Sequence, residues 1–191
     1  PDLLIANARP NLDVLPSDKS TAMAKTTLAG LSFRERILLE VLAELAYDVV
    51  VIDCAPSVDV LHLAALVAAD WLIVPTKLDH LAVDGVKEVI RSLSALQRRQ
   101  VAPQLLGVLP SFFDRRTNET TAQLKAIART FGRLVLPPVP DDVRLREAPA
   151  YGQSIWEYAP DTRGVVGIEV SSGAYFGGYA QAIQRVKERM Q

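Results

Sequence analysis

Apolar and polar positions along the chain alternate between two spacings, one suited to strands and one to helices. L-D-V-L-P, at 12–16, reads as a short strand. Ile37, Leu38, Val41, Leu42 and Leu45 fall on one face of a helix beginning near Ser32. Y-D-V-V-V-I-D (47–53) is a continuous apolar run, the kind that parallel sheets bury on both faces. A short helix over Leu61–Val67 leads to a second such strand, D-W-L-I-V-P (70–75). Val86, Val89, Ile90, Leu93 and Leu96 mark a longer helix, and Q-L-L-G-V-L-P (104–110) a third buried strand. Leu124, Ile127, Ala128 and Phe131 form another helical stripe before the short strand R-L-V-L-P (133–137). From Asp141 onward the pattern turns helical and irregular, ending in a helix over about Tyr179 to Met190. Strands alternating with helices predict an α/β fold: a mostly parallel sheet with helices on both faces. No repeat or long linker divides the chain, so a single domain over residues 1–191 is expected.

Ligands of parallel sheets collect beyond the carboxyl ends of the strands. That rule selects D-C-A-P-S-V-D (53–59), P-T-K-L-D-H (75–80) and P-S-F-F-D-R-R-T-N-E-T (110–120). A rival candidate, S-T-A-M-A-K-T-T-L-A-G (20–30), contains the K-T-T that ends many phosphate-binding loops. Such loops turn through positive φ and bring backbone N–H groups close to phosphate, which requires glycine. With Lys25 as the phosphate lysine, the two glycine positions are Lys19 and Ala24. The stretch therefore reads as a helix capped at Ser17 or Asp18 and ended by Gly30.

Composition narrows the picture only a little. At 191 residues, 49% hydrophobic and 23% charged, the chain has the makeup of an ordinary soluble domain. A net charge of −1 argues against a globally basic nucleic-acid binder but permits a local patch. The single cysteine, Cys54, leaves no intramolecular disulfide and suits a reducing cytoplasm; it reads as a small buried thiol after a strand. No apolar run reaches the length of a membrane span.

V-V-V-I-D-C-A-P (49–56) has the form of a Walker B strand, delivering Asp53 to a strand end where it can order a water on Mg²⁺. The same pattern also arises where an aspartate caps the next helix. From Tyr47 to Val86 the chain resembles the ParA/MinD family of deviant P-loop ATPases, in which a Walker B strand ending D-C-x-P leads through a switch loop to an A-A-D turn and a strand ending in proline. The resemblance continues through G-V-L-P-S-F-F-D-R-R-T-N-E-T-T-A-Q-L and V-P-D-D-V-R-L-R-E-A-P-A-Y-G-Q-S-I-W-E-Y-A-P, and fits the plasmid and chromosome partitioning branch best.

The resemblance implies roles. Asp53 would be the catalytic and Mg²⁺-side carboxylate, and Pro56 to Asp59, including Ser57, the switch that senses the γ-phosphate. The loops around Pro110 to Asp114 and Val139 to Asp142, with Pro140 and Asp141, would form the base-binding wall. It also implies ATP and Mg²⁺ as cofactors, a homodimer, a ParB-like partner, non-specific DNA, and a cytoplasmic, nucleoid-associated location. The family's K-G-G-x-G-K-T-T loop has no counterpart here, and the chain starts at Pro1 without methionine, so an N-terminally truncated domain lacking its first strands is expected. Convergent N–H groups and a lysine dominate triphosphate binding, so this chain alone should bind ATP poorly.

Two further features stay open. Arg115, Arg116, Arg133, Arg144 and Arg146 either contact DNA phosphates or form a solvated surface interspersed with acids. The last helix, with Tyr179, Ile183, Val186 and Met190 on one side, either packs on the sheet or lies on a membrane as in MinD-like relatives. Three functions follow: a partitioning ATPase, a fragment acting only as an interaction module, or a membrane-associated MinD-like ATPase.

Overall fold

Ile5–Arg9 (β1) and Leu12–Val14 (β2) pair antiparallel as a hairpin, with Asn11 taking positive φ in the turn, as asparagine readily does. The computed structural model describes residues 3–54, 59–97 and 103–191. It divides into two compact units, Pro1–Ala69 and Asp70–Gln191.

In the first unit, Lys19–Ala29 forms α1, as the caps predict, followed by a 3₁₀ turn at Arg34–Arg36, α2 at Ile37–Ala43 and α3 at Val60–Ala68. Helix α3 packs against α1, α2 and the 3₁₀ turn. The expected strand at 49–53 is absent: residues 49–54 carry no regular secondary structure, and Val49, Val50 and Val51 are 63%, 47% and 88% exposed. β-branched residues keep such a run extended, but a strand also needs a neighbour's hydrogen bonds. β1 and β2 pair with each other, and no described strand pairs with this run. Its start is tied to the hairpin by Tyr47, whose hydroxyl donates to Asp13 Oδ2 at 2.6 Å. No side chain described among residues 3–54 is buried, so the predicted apolar face of α2 is half-open, with Val41 52% exposed.

The second unit contains the predicted parallel core. Trp71–Lys77 (β3) and Gln104–Ser111 (β4) pair in parallel, from Trp71 opposite Gln104 to Lys77 opposite Ser111. Residues 135–140 run parallel beside β4, bridging Val108 to Val135 and Phe113 to Pro140. The Leu136 and Val139 N–H groups donate to Val108 O and Pro110 O, each at 2.8 Å. Pro137, Pro138 and Pro140 have no N–H, so this third segment is a broken ladder rather than the regular strand R-L-V-L-P suggests. Ala82–Gln97 (α4) and Asn118–Phe131 (α5) contribute Val86 and Ile127 to a core with Val74 and Val108.

Beyond Asp141 come short helices, a hairpin and a final helix. They are α6 (Val143–Glu147), α7 (Ile155–Tyr158), α8 (Arg163–Val166), an antiparallel hairpin of β5 (Ile168–Ser171) and β6 (Ala174–Phe176), and α9 (Gly178–Met190). The hairpin is not predicted by the sequence pattern. Helix α9 packs on α8 and β4, which answers the question of its role in favour of the sheet. Its inward face is rotated from the predicted stripe: Gly178 and Ala182 are buried, whereas Ile183 and Met190 are 39% and 42% exposed. Arg189 explains the rotation. Its guanidinium donates to Leu106 O at 2.6 Å, Leu134 O at 3.3 Å and Arg133 O. The space it uses exists because residue 107 is glycine; a Cβ there would lie 2.8 Å from Arg189 Nη1 and 2.7 Å from Leu136 Cγ.

Candidate functional site

Beyond the carboxyl end of β4, the loop 112–117 and the hairpin β5–β6 enclose a cleft of about 620 Å³. The loop is held from below. Phe113 donates its N–H to Val139 O at 3.0 Å and accepts from Asp141 N–H at 2.9 Å. These bonds bring together the two loops that the family resemblance pairs. Pro110 and Pro140 are fully buried and form a rigid base under the wall, beyond a ligand's reach. Phe113 is buried too, and its ring meets Phe176 of β6 edge-on, centroids 6.0 Å apart at 79°.

Asp114 faces the cleft but its carboxylate is engaged. Arg116 donates to it through Nε at 3.0 Å and Nη2 at 2.8 Å, with the Arg116 N–H at 2.9 Å. The Arg116 hydrogen bonds, with a smaller contribution from the charge of Arg163, lower its pKa to about 2. Arg115 donates through Nη1 to Glu169 O at 3.2 Å, joining the loop to the hairpin. Asp141 lies outside the cleft lining and pairs with Arg146 at 3.5 Å. Arg144 is exposed on α6. Arg133 is exposed at the opposite end of the sheet, where its carbonyl meets Arg189 beside the start of β4. The five arginines therefore split, with Arg115, Arg116, Arg144 and Arg146 after the strand ends and Arg133 before the strands begin.

Asp142, unlike its neighbour, is a buried carboxylate that residue spacing does not distinguish. It is 8% exposed and caps α6 by accepting from Arg144 N–H at 3.0 Å. It also accepts from Gly164 N–H at 3.2 Å and from the Thr162 hydroxyl, which fastens the start of α8 to the wall. Burial pushes its pKa up, but these hydrogen bonds and Arg163 outweigh burial and leave it below the usual carboxylate value. The signal available is an aspartate directly before V-R-L-R-E, a helix-cap pattern.

In the first unit, Asp53 is exposed, in the run without a ladder. Pro56 and Ser57 lie outside the described residues. Asp59, at the end of the expected switch, instead caps α3 by accepting from Leu61 and His62 N–H groups at 3.0 and 3.1 Å. Lys25 Nζ lies 2.5 Å from Asp59 Oδ2, so the lysine of K-T-T is a partner of a helix cap. Cys54 is exposed, not buried as expected. Partial desolvation, then the charges of Asp53 and Asp59, push its pKa up and reduce its thiolate. The described residues thus supply one wall beyond β4, while the carboxylate on which the Mg²⁺ reading depends is not fixed by a strand. They do not fit a complete Mg-ATP site.

A family profile described as an AAA domain matches residues 1–106. The sporulation initiation inhibitor protein Soj of Bacillus subtilis is 32% identical over 167 residues, covering 85% of this chain and 66% of that protein. The chain belongs to the ParA-type family of P-loop ATPases. The chromosome partitioning protein ParA of Caulobacter vibrioides is 33% identical, over 82% of this ParA-type chain and 61% of that protein. The chain thus spans less than two thirds of the length of these relatives. The solved ATP complex of a Cyanothece McdA variant has the same fold, with a TM-score of 0.79 at 21% identity over 99% of this chain and 70% of that one. The α/β architecture expected from the alternating pattern is the family's. Among the described residues, no helix is long and apolar enough to cross a membrane.

Proposed function

We propose that this chain is the larger part of a ParA-type partitioning ATPase that serves DNA segregation. In the intact protein, ATP and Mg²⁺ drive homodimerisation and non-specific DNA binding, and a ParB-like partner stimulates hydrolysis, in a cytoplasmic, nucleoid-associated setting. The observation that carries this reading is the wall after β4. Two loops separated in sequence, Pro110–Asp114 and Val139–Asp142, are locked together through Phe113, beside a cleft and an arginine cluster, in a chain of this family. Asp53 remains the proposed Mg²⁺-side carboxylate, with Pro56 and Ser57 in the switch and Asp114 and Asp141 at the base end. Arg115, Arg116, Arg144 and Arg146 are the proposed DNA contacts; Arg133, at the other end of the sheet, can join them only through a separate surface.

The chain alone is expected to bind ATP weakly, because it has no glycine-rich loop to surround the phosphates. Titration calorimetry with Mg-ATP checks this, and a micromolar dissociation constant would refute it. Reading the coding sequence upstream of Pro1 tests the larger assignment. An in-frame K-G-G-x-G-K-T-T segment is expected, and an upstream reading frame without one sinks the ATPase.

The second reading, an interaction module without nucleotide chemistry, draws on the exposed Val49–Val51 run and the first unit's open apolar side chains. The same upstream sequence separates the two.

A further inference from the structure

We propose that the β5–β6 hairpin is the second jaw of a nucleic-acid clamp, setting Arg115 against a phosphodiester while Asp161 and Glu169 weaken the grip. This rests on the reading that the arginines after β4 face DNA, and goes beyond it by giving the hairpin and two carboxylates a role.

The jaw is rigid. Phe176 is pinned on Phe113, and Gly177 and Gly178 hold positive φ at the junction with α9. A Cβ on Gly177 would lie 2.2 Å from Pro138 O, so the hairpin's end sits directly on the third parallel segment. That seat holds Glu169 O where Arg115 reaches it. A backbone carbonyl is neutral, so Arg115 is oriented by the hairpin and keeps its full charge. Arg116 differs, since its guanidinium is neutralised by Asp114. Arg163 also lines the cleft; its nearest acid is Asp142 at 3.8 Å, already occupied by other donors. Tyr175 stands opposite Glu169 in the ladder and lines the same cleft, 47% exposed. Arg115 oriented on a carbonyl, with Arg163 and the Tyr175 ring lining the same cleft, matches a phosphodiester and its sugar or base. The cleft's volume also falls within the range of ligand sites.

Asp161 and Glu169 line the same cleft and are exposed. Each repels a phosphate, and the repulsion across a few ångströms of water is on the order of a several-fold change in affinity. The clamp is therefore weak by construction, in keeping with a near-neutral chain.

Fluorescence anisotropy of this chain with a labelled duplex and a labelled oligo-dT strand, at low salt, tests the proposal. The double variant Asp161→Asn with Glu169→Gln is expected to tighten binding about 3- to 10-fold, a gain that misfolding cannot imitate. Arg115→Gln is expected to weaken binding by a similar factor and flatten its salt dependence. Tyr175→Ala should weaken oligo-dT more than duplex, with Tyr175→Phe restoring it, if bases stack there; equal losses place the sugar-phosphate backbone alone in the clamp. If Arg116→Gln weakens duplex binding while the carboxylate and Arg115 variants change nothing, the hairpin's role is overturned and the DNA reading stands. If the unmodified chain binds neither probe, the clamp is overturned, whereas the ATP-driven DNA binding proposed for the intact protein is not.

Discussion

Replacing Asp142 by alanine is expected to destabilise the second unit by about 3 kcal/mol, because one carboxylate serves three donors on two helices. It caps α6 through Arg144 N–H and simultaneously takes Gly164 N–H and the Thr162 hydroxyl at the start of α8. A lost helix cap alone costs roughly 1 kcal/mol. Gly164 is buried, so its N–H would be left without water or partner, which adds roughly 1–3 kcal/mol. Asp142→Asn should recover part of the loss, because its side-chain oxygen can still cap α6. Trp71 and Trp156 both lie in the second unit, so urea unfolding followed by tryptophan fluorescence reports on this region. A loss below about 1 kcal/mol would show that the carboxylate is not holding α6 and α8 together.

The same carboxylate fixes a pH dependence and its sign. Its folded pKa is below the unfolded value of 3.8. Its contribution is therefore fully present above the unfolded pKa and is lost as pH falls through the folded one. Stability should decline below about pH 4, and the alanine variant should lose less than the parent over that window.

Replacing Arg189 by methionine is expected to cost about 2–3 kcal/mol and to release the end of α9. Methionine keeps an apolar stem but cannot donate to Leu106 O, Leu134 O and Arg133 O, which stand at the start of β4 and of the third segment. Burial, then the like charges of Arg185 and Arg133, lower the Arg189 pKa, while Glu188 opposes them. The carbonyls thus replace a carboxylate as the stabilising partners. Limited proteolysis should cut the variant after Lys187 or Arg185 faster than the parent. Unchanged cleavage and unchanged urea unfolding would mean that α9 is held by its packing on α8 and β4 without the Arg189 hydrogen bonds.

Several elements are legible in the sequence because one local signal settles each. The stripe Val86, Val89, Ile90 and Leu93 forces α4, and W-L-I-V-P and Q-L-L-G-V-L-P force the parallel pair β3–β4, whose residues are buried or half-buried apart from Pro75, Lys77 and Gln104. The missing glycines at Lys19 and Ala24 make α1 a helix and not a phosphate loop. Of the two loops after β4, the strand-end rule singles out only 110–120; the loop at 139–142 enters through the resemblance to the ParA/MinD family, and the hydrogen bonds at Phe113 that join the two are tertiary. Other elements have ambiguous signals. I-E-V-S-S-G-A-Y-F alternates weakly around an S-S-G turn, and its hairpin is hidden from a pattern reading because Val170, Tyr175 and Phe176 remain exposed.

The sequence by itself determined the helix–strand alternation, the family to which the chain belongs and the absence of a glycine-rich phosphate loop. These depend on residue type and spacing alone. Only the tertiary structure decided which of two adjacent aspartates is buried, that Arg189 turns inward above Gly107, that Arg116 is spent on Asp114 while Arg115 is not, and that Y-D-V-V-V-I-D has no ladder. Each of these depends on which neighbour comes within hydrogen-bonding distance. A strand, a cap or an ion pair is a relation between two segments, and one segment's letters specify only half of it.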